Sequence, residues 1–174
     1  ENVSKLLKKY PADLLLVDNS SDLSYIEKIK SYSAKYGIQN YKIKHLEINQ
    51  EQPIGERIGR SREIIRQEFL NGEYDAWFSW ESDQIIPTDA LDKSSVLMQK
   101  GNFMIVIHTS WNRQLPSEPA AYFGCALIRR DALEKYSFLL ESDPDNPQTW
   151  HRTEEWFKRR VLKGGGNYIE VSGV

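Results

Sequence analysis

Two carboxylates stand two residues apart where an aromatic run stops: Glu81 and Asp83, in the stretch 75–87, DAWFSWESDQIIP. Such a pair suits a hard divalent cation, because Mg2+ and Mn2+ prefer oxygen donors, often take only one or two from the protein, and complete their shell with water and phosphate oxygens. A cation held that way would grip a diphosphate. Acids at strand ends, however, commonly do no more than solvate a turn. Just upstream, Arg57, Arg60, Arg62 and Arg66 fall within ten residues. Guanidinium groups meet phosphate in a bidentate fork, yet Glu56, Glu63 and Glu68 in the same stretch can pair them into a solvated helix face, the commoner fate of such a run. Asp18 and Asn19 follow a short apolar run and suit a ligand contact and an Asx-turn or helix N-cap equally well. His108 closes another apolar run, where a hydrogen-bonded structural histidine is a commoner outcome than a metal ligand.

These groups need a scaffold. Ala76, Trp77, Phe78 and Trp80 make a run of strand length without solvent alternation, which predicts a strand covered on both faces. Pro87 blocks further pairing and admits a helix from about Thr88 to Lys100, stopped by Gly101. Leu14 to Val17 has the same apolar character and predicts an interior parallel strand, after a weak helix over 3–9 that Pro11 stops. Leu23, Ile26, Ile29, Ser33 and Tyr36 recur at helical spacing, with Gly37 placed to cap the end. Tyr41 to Ile48 returns as a strand, closing a β-α-β unit with a right-handed crossover.

Ile54, Ile58, Ile65 and Phe69 mark the inward face of the next helix, which ends at Asn71-Gly72. Strands are expected at 103–108 and 122–128, separated by a polar loop, TSWNRQLPSEPA, long enough to expect function or mobility. Asp131 can cap a helix through Leu140, Thr153 can cap TEEWFKRRVLK, and YIEV at 168–171 reads as a last short strand. The whole is a single α/β domain over 1–174, with strand ends gathered at the edge where open α/β sheets bind ligands.

Composition excludes several classes. A chain of 174 residues with 40% hydrophobic and 28% charged residues and a net charge of -2 is globular rather than disordered or polybasic. Bulk attraction to nucleic acid is not expected. The single cysteine, Cys125, excludes an internal disulfide and reads as an inert core thiol. No apolar run reaches bilayer length and ENVSKLLKKY has no signal-peptide pattern, so the expectation is a cytoplasmic protein without a transmembrane segment.

Taken as a series, VDNSSD, an arginine-bearing helix, and NGEYDAWFSWESDQIIP resemble the donor-binding half of GT-A fold glycosyltransferases. The likeness is to the large inverting family 2, with its "VDDGSTD" element, "ARN" helix and "GEYIxFLDxDD" strand. Asp18, Asn19, Ser20 and Asp22 stand at the positions of the first, Arg62 at the arginine of the second, Gly72-Glu73-Tyr74 at GEY, and Glu81 and Asp83 at the DxD. CALIRRDAL at 125–133 matches a later segment, and Glu154, Arg160 and Gly165 match an acid that precedes an arginine by six residues and a glycine by eleven. In size the chain also looks like the compact stand-alone GT-A enzymes of archaeal viruses, which would place it in a host cytoplasm.

The resemblance implies a mixed, mostly parallel Rossmann-like sheet with helices on both faces, and a metal-dependent transferase moving a sugar from a UDP- or GDP-sugar to a hydroxyl of a glycan, protein or lipid acceptor. Asp83, with Glu81, would hold Mn2+ or Mg2+; Glu154, or else Glu155, would be the catalytic base, with Asp143 and Asp145 in reserve. Asp18, Asn19, Arg57, Arg62 and Glu81 would meet the nucleotide, and His108, Trp111 and the 109–119 loop the sugar or acceptor. Glu81 departs from the usual aspartate, and the family's opening strand has no counterpart before Lys8; that strand either precedes Glu1 or the fold does without it. The rival readings are a nucleotidyltransferase, whose usual glycine-rich basic loop DNSSD lacks, and a non-catalytic assembly module.

Overall fold

The structure is a computed structural model that describes residues 1–109, 123–140 and 153–172. In chain order the elements are α1 (Asn2–Lys9), β1 (Leu14–Asp18), α2 (Ser24–Lys35), β2 (Tyr41–His45), α3 (Ile54–Leu70), β3 (Ala76–Trp80), α4 (Ala90–Gly101), β4 (Ile105–Thr109), β5 (Cys125–Arg129), α5 (Arg130–Lys135), α6 (Thr153–Lys163) and β6 (Tyr168–Ser172). β1 and β2 pair in parallel, and a second sheet has the order β3-β5-β4-β6. β5 runs against both β3 and β4, and β6 runs with β4, so three of these four strands share one direction.

Strand periodicity sorts the core into two faces. Ile105 and Ile107 of β4 with Ala126 and Ile128 of β5 face Phe69 of α3, Leu133 of α5 and Phe157 and Val161 of α6. Val106 and Leu127 face the other way, toward Met98 of α4, and Cys125 packs there with Leu6, Ile86 and Ala90. On the first face Phe138 stacks on Phe157 with ring centroids 4.2 Å apart, and Phe123 meets both edge-on, an arrangement aromatic quadrupoles favour. β3 obeys the same alternation: Trp77 joins the first cluster, Phe78 and Trp80 the second. It is covered on both faces, as its composition predicts. Burial pushes the Cys125 thiol up to about 11, an unreactive core group.

Four local expectations are corrected. β1 is laddered to β2 and its leucines are only partly buried, so among the described residues it is not an interior strand. α3 turns Ile54 and Ile58 to solvent and buries Gly55, Gly59, Arg62 and Glu63 instead, because both charges find partners inside. α5 stops at Lys135, well short of Leu140. Beyond it the Glu63 carboxylate takes the Phe138 N–H at 3.0 Å and the Ser137 hydroxyl at 3.0 Å, and Trp156 Nε1 donates to Leu139 O, which satisfies that backbone without a helix. α4 ends through Asn102 in the left-handed region, φ 49°, one residue after the expected Gly101. Thr153 opens α6, and its hydroxyl donates to Phe138 O at 2.5 Å. No described helix is long and apolar enough to cross a membrane.

Candidate active site

β3 delivers its side chains by alternation. Ser79 lies on the same side as Trp77, and Glu81 continues that side just past the strand's carboxyl end. Ser79 is buried, donates to Phe123 O at 2.5 Å and accepts from Arg62 Nη1 at 3.0 Å. Arg62 Nη2 reaches Glu81 Oε1 at 3.2 Å and also donates to Glu154 Oε1. One guanidinium from the middle of α3 therefore joins the end of β3 to the start of α6. Exposure rises outward across the group: side-chain values are 9% for Arg62, 11% for Glu154 and 36% for Glu81.

Two backbone features permit this convergence. A Cβ on Gly59 would lie 3.2 Å from both Phe138 O and Thr153 Oγ1, so the glycine lets α3 approach the first turn of α6 closely. A Cβ on Gly124 would lie 2.2 Å from Gln84 Nε2 and 2.9 Å from Glu81 Oε2, and the Glu81 N–H donates to Gly124 O at 2.9 Å. The acidic strand end thus rests on a glycine at the head of β5.

Glu154 is electrostatically unusual. Burial holds its carboxyl above the ordinary range; Arg62 and the Phe123 N–H pull it down, and the neighbouring Glu81 charge pushes it up, with burial prevailing. A buried carboxylate above its usual pKa, aimed at an acidic strand end, is the kind of group that takes a proton during turnover. Glu155 is engaged elsewhere, by Lys158 at 3.3 Å and Arg159 at 3.4 Å.

A second cluster forms at the carboxyl ends of β1 and β2. Asp18 accepts the Ser20 hydroxyl at 3.0 Å, the Ser20 N–H at 3.4 Å and His45 Nδ1 at 2.9 Å, so the Asx-turn does form. Asn19 Nδ2 donates to Ser61 Oγ at 3.2 Å, while Gln50 Nε2 donates to Asn19 O at 2.8 Å and Gln50 Oε1 accepts from Arg57 Nη1 at 2.6 Å. Ser61 and Arg62 are consecutive, so α3 is a wall common to both clusters. Of the remaining arginines, Arg60 pairs with Glu56 at the surface, and Arg66 ties Glu63 to the carbonyls of Leu133 and Glu134.

Other expected site residues fall differently. Asp83 is exposed on the turn directly after Glu81. His108 is buried on the α4 face, its Nε2 2.6 Å from Ser94 Oγ, on the other side of the sheet from Arg62 and Glu154. Trp111, the loop over 110–119, Asp143 and Asp145 lie outside the described residues. The sequence reading missed His45, Ser79, Gln50 and Ser61. A lone polar residue inside an aromatic strand was the available signal for Ser79; His45 depends on a cross-strand register that one strand does not reveal.

For a divalent cation the donor set is sparse. Among the described residues no group of three or more His, Cys, Asp or Glu side chains can cage a metal. One exposed carboxylate at Asp83, with Glu81 beside it, fits a cation that keeps its waters and shares phosphate oxygens rather than one enclosed by protein.

No protein-family model and no curated protein matches the sequence. Among solved structures, the chain is similar to the crystal structure of a glycosyltransferase involved in the glycosylation of the major capsid of PBCV-1, with a TM-score of 0.52 and 17% identity over 92% of this chain and 82% of that one. The fold is accordingly a GT-A-like glycosyltransferase fold, mixed α/β with helices on both faces of its sheet.

Proposed function

We propose that the chain is a metal-assisted glycosyltransferase that moves a sugar from a UDP- or GDP-sugar to an acceptor hydroxyl. The observation that carries the reading is Glu154, a buried carboxylate brought by Arg62 against the acidic end of β3; the likeness of fold supports it and does not by itself fix the activity. The base and ribose would lie at the Asp18–Asn19 turn, with the diphosphate running toward Asp83. Arg57, beside Gln50 and Asn19, is the arginine placed to meet phosphate. Arg62, already bonded to Ser79, Glu81 and Glu154, acts through the two acids.

Chemically, the acceptor oxygen attacks the anomeric carbon and loses its proton to ionised Glu154, as the bond from that carbon to the diphosphate oxygen breaks. Attack from the side opposite the leaving group inverts the anomeric centre. Asp83 and Glu81 would hold Mn2+ or Mg2+, which offsets the charge gathering on the departing nucleoside diphosphate.

Calorimetry with UDP and GDP, with and without Mn2+, followed by a nucleotide-sugar turnover panel, tests the reading. Metal-dependent binding, weakened by Asp83→Asn, and turnover lowered roughly 10²- to 10⁴-fold by Glu154→Gln are expected. Silence from both nucleotides with Mn2+ present would sink it, and release of pyrophosphate from a nucleoside triphosphate and a sugar phosphate would replace it with nucleotidyl transfer.

A further inference from the structure

The parallel register of β1 and β2 sets Asp18 opposite His45. Asp18 is 7% exposed, and its carboxylate is occupied by the Ser20 N–H, the Ser20 hydroxyl and His45 Nδ1. The imidazole beside it keeps 23% of its side-chain surface open. Of the two groups, the histidine is the one still free to meet a ligand.

The contact also decides the ring's tautomer. An ionised carboxylate only accepts hydrogen bonds, so the proton of the 2.9 Å contact belongs to His45 Nδ1. In a neutral imidazole the other nitrogen, Nε2, is then an acceptor. The turn holding Asp18 is itself fixed, since Asn19 is tied to Ser61 of α3 and to Gln50.

We infer that His45 reads the nucleobase of the donor through Nε2 as a hydrogen-bond acceptor, with Asp18 as the positioning residue that fixes its tautomer. Such a reader selects bases that carry a ring N–H on the recognition edge, uracil at N3 and guanine at N1. It rejects cytosine and adenine, whose ring nitrogens there are acceptors, because two lone pairs would face each other and both would lose their bonds to water. The inference rests on the proposed function for bringing a nucleotide to this strand edge, but testing it requires no turnover.

Calorimetry of the full chain with UDP, GDP, CDP and ADP in Mn2+ is expected to show UDP or GDP binding at least about tenfold tighter than CDP and ADP, the order of discrimination that one unmade hydrogen bond at a half-buried group gives. His45→Phe should bring the preferred nucleotide down to the level of CDP. His45→Gln, whose amide can turn either its oxygen or its NH2 to the base, should keep nucleotide binding with a narrowed preference and so show that the strand end tolerates substitution. His45→Lys, which only donates, should tip the order toward CDP and ADP.

The positioning role is read from the ring itself. Imidazole 15N shifts should report a single Nδ1–H tautomer in the parent chain and a mixture in Asp18→Asn, with relaxed base preference. Unchanged preference in His45→Phe while nucleotide binding persists would overturn the inference and leave sugar transfer standing, as would an imidazole protonated on both nitrogens. Failure of the parent chain to bind any nucleotide would instead remove the proposed function, and this inference with it.

Discussion

Arg62 of α3 and Glu154 of α6 are 92 residues apart in the chain and hydrogen-bond to each other in the protein interior. Withdrawing two such ions from water costs several kcal/mol each, which their attraction repays only when the geometry is good and the remaining donors find partners. Ser79 and Glu81 on the guanidinium, and the Phe123 N–H on the carboxylate, are those partners. The pair makes the candidate base a product of tertiary structure, set by how closely α3 approaches α6.

Glu154→Gln separates the chemical role from the structural one. The amide keeps an acceptor for Arg62 and loses the ability to take a proton, so turnover should drop by roughly 10²- to 10⁴-fold. Stability should move the other way at neutral pH. A carboxyl whose folded pKa lies above 4.5 contributes stability that is complete below that value and lost as pH rises through the folded pKa. Removing the charge removes that loss. The melting temperature at neutral pH should therefore be no lower than that of the parent chain, and a marked drop would show that the lost pairing with Arg62 outweighs the relieved burial of the carboxylate.

Arg62→Gln should displace the acid limb of the pH–rate profile. Glu154 acts as a base only when ionised, so kcat/KM falls as pH drops through its raised pKa. Arg62 is the larger of the two groups that pull this pKa down, and without it the limb should move to higher pH. A limb that stays in place while the rate falls would mean that Arg62 serves the substrate directly.

Much of this arrangement was legible in the sequence, and the gaps have physical causes. The apolar runs that became β3 and β4 declared themselves because a strand covered on both faces is apolar at nearly every position, Ser79 and His108 being the buried exceptions. The acid at 154 could be singled out by spacing, whereas its partner's inward orientation could not. Apolar periodicity assigned Ile54 and Ile58 to the core of α3, but a glycine pair and an arginine–glutamate pair define the buried face there, since paired charges can be buried and exposed isoleucines cost little. The contact between Asp18 and His45 depends on a parallel register, which is set by packing around both strands and is absent from either one read alone.

His108 predicts a separate pH effect on stability. The Ser94 hydroxyl donates to Ala90 O at 2.8 Å, so the 2.6 Å contact with His108 is a donation from Nε2–H, and Nδ1 is left as a buried acceptor without a partner among the described residues. Protonating Nδ1 would bury a charge; burial, and to a lesser degree Lys93, hold the ring below its usual 6.5. The unfolded chain then binds more protons than the folded one below that pH, so stability is full above 6.5 and is lost as pH falls from there toward the folded value. Urea unfolding between about pH 7.5 and about pH 5.5 should show the loss, and His108→Gln should flatten it.

Gly59 tests whether the closeness of α3 and α6 sets the site. Alanine there gains about 1 kcal/mol of helix propensity over glycine, but its Cβ would press on Phe138 O and Thr153 Oγ1 at 3.2 Å. Those two atoms are bonded to each other, so neither can yield alone. The two effects should nearly cancel in Gly59→Ala. Gly59→Val adds two more methyl groups to the same gap and should destabilise by about 1–3 kcal/mol, the usual range for overpacking. If the contact governs the site, Gly59→Ala should reduce turnover despite nearly unchanged stability, because displacing α6 carries Glu154 away from Arg62. Full activity in Gly59→Ala would show that the Arg62–Glu154 contact survives a looser α3–α6 packing.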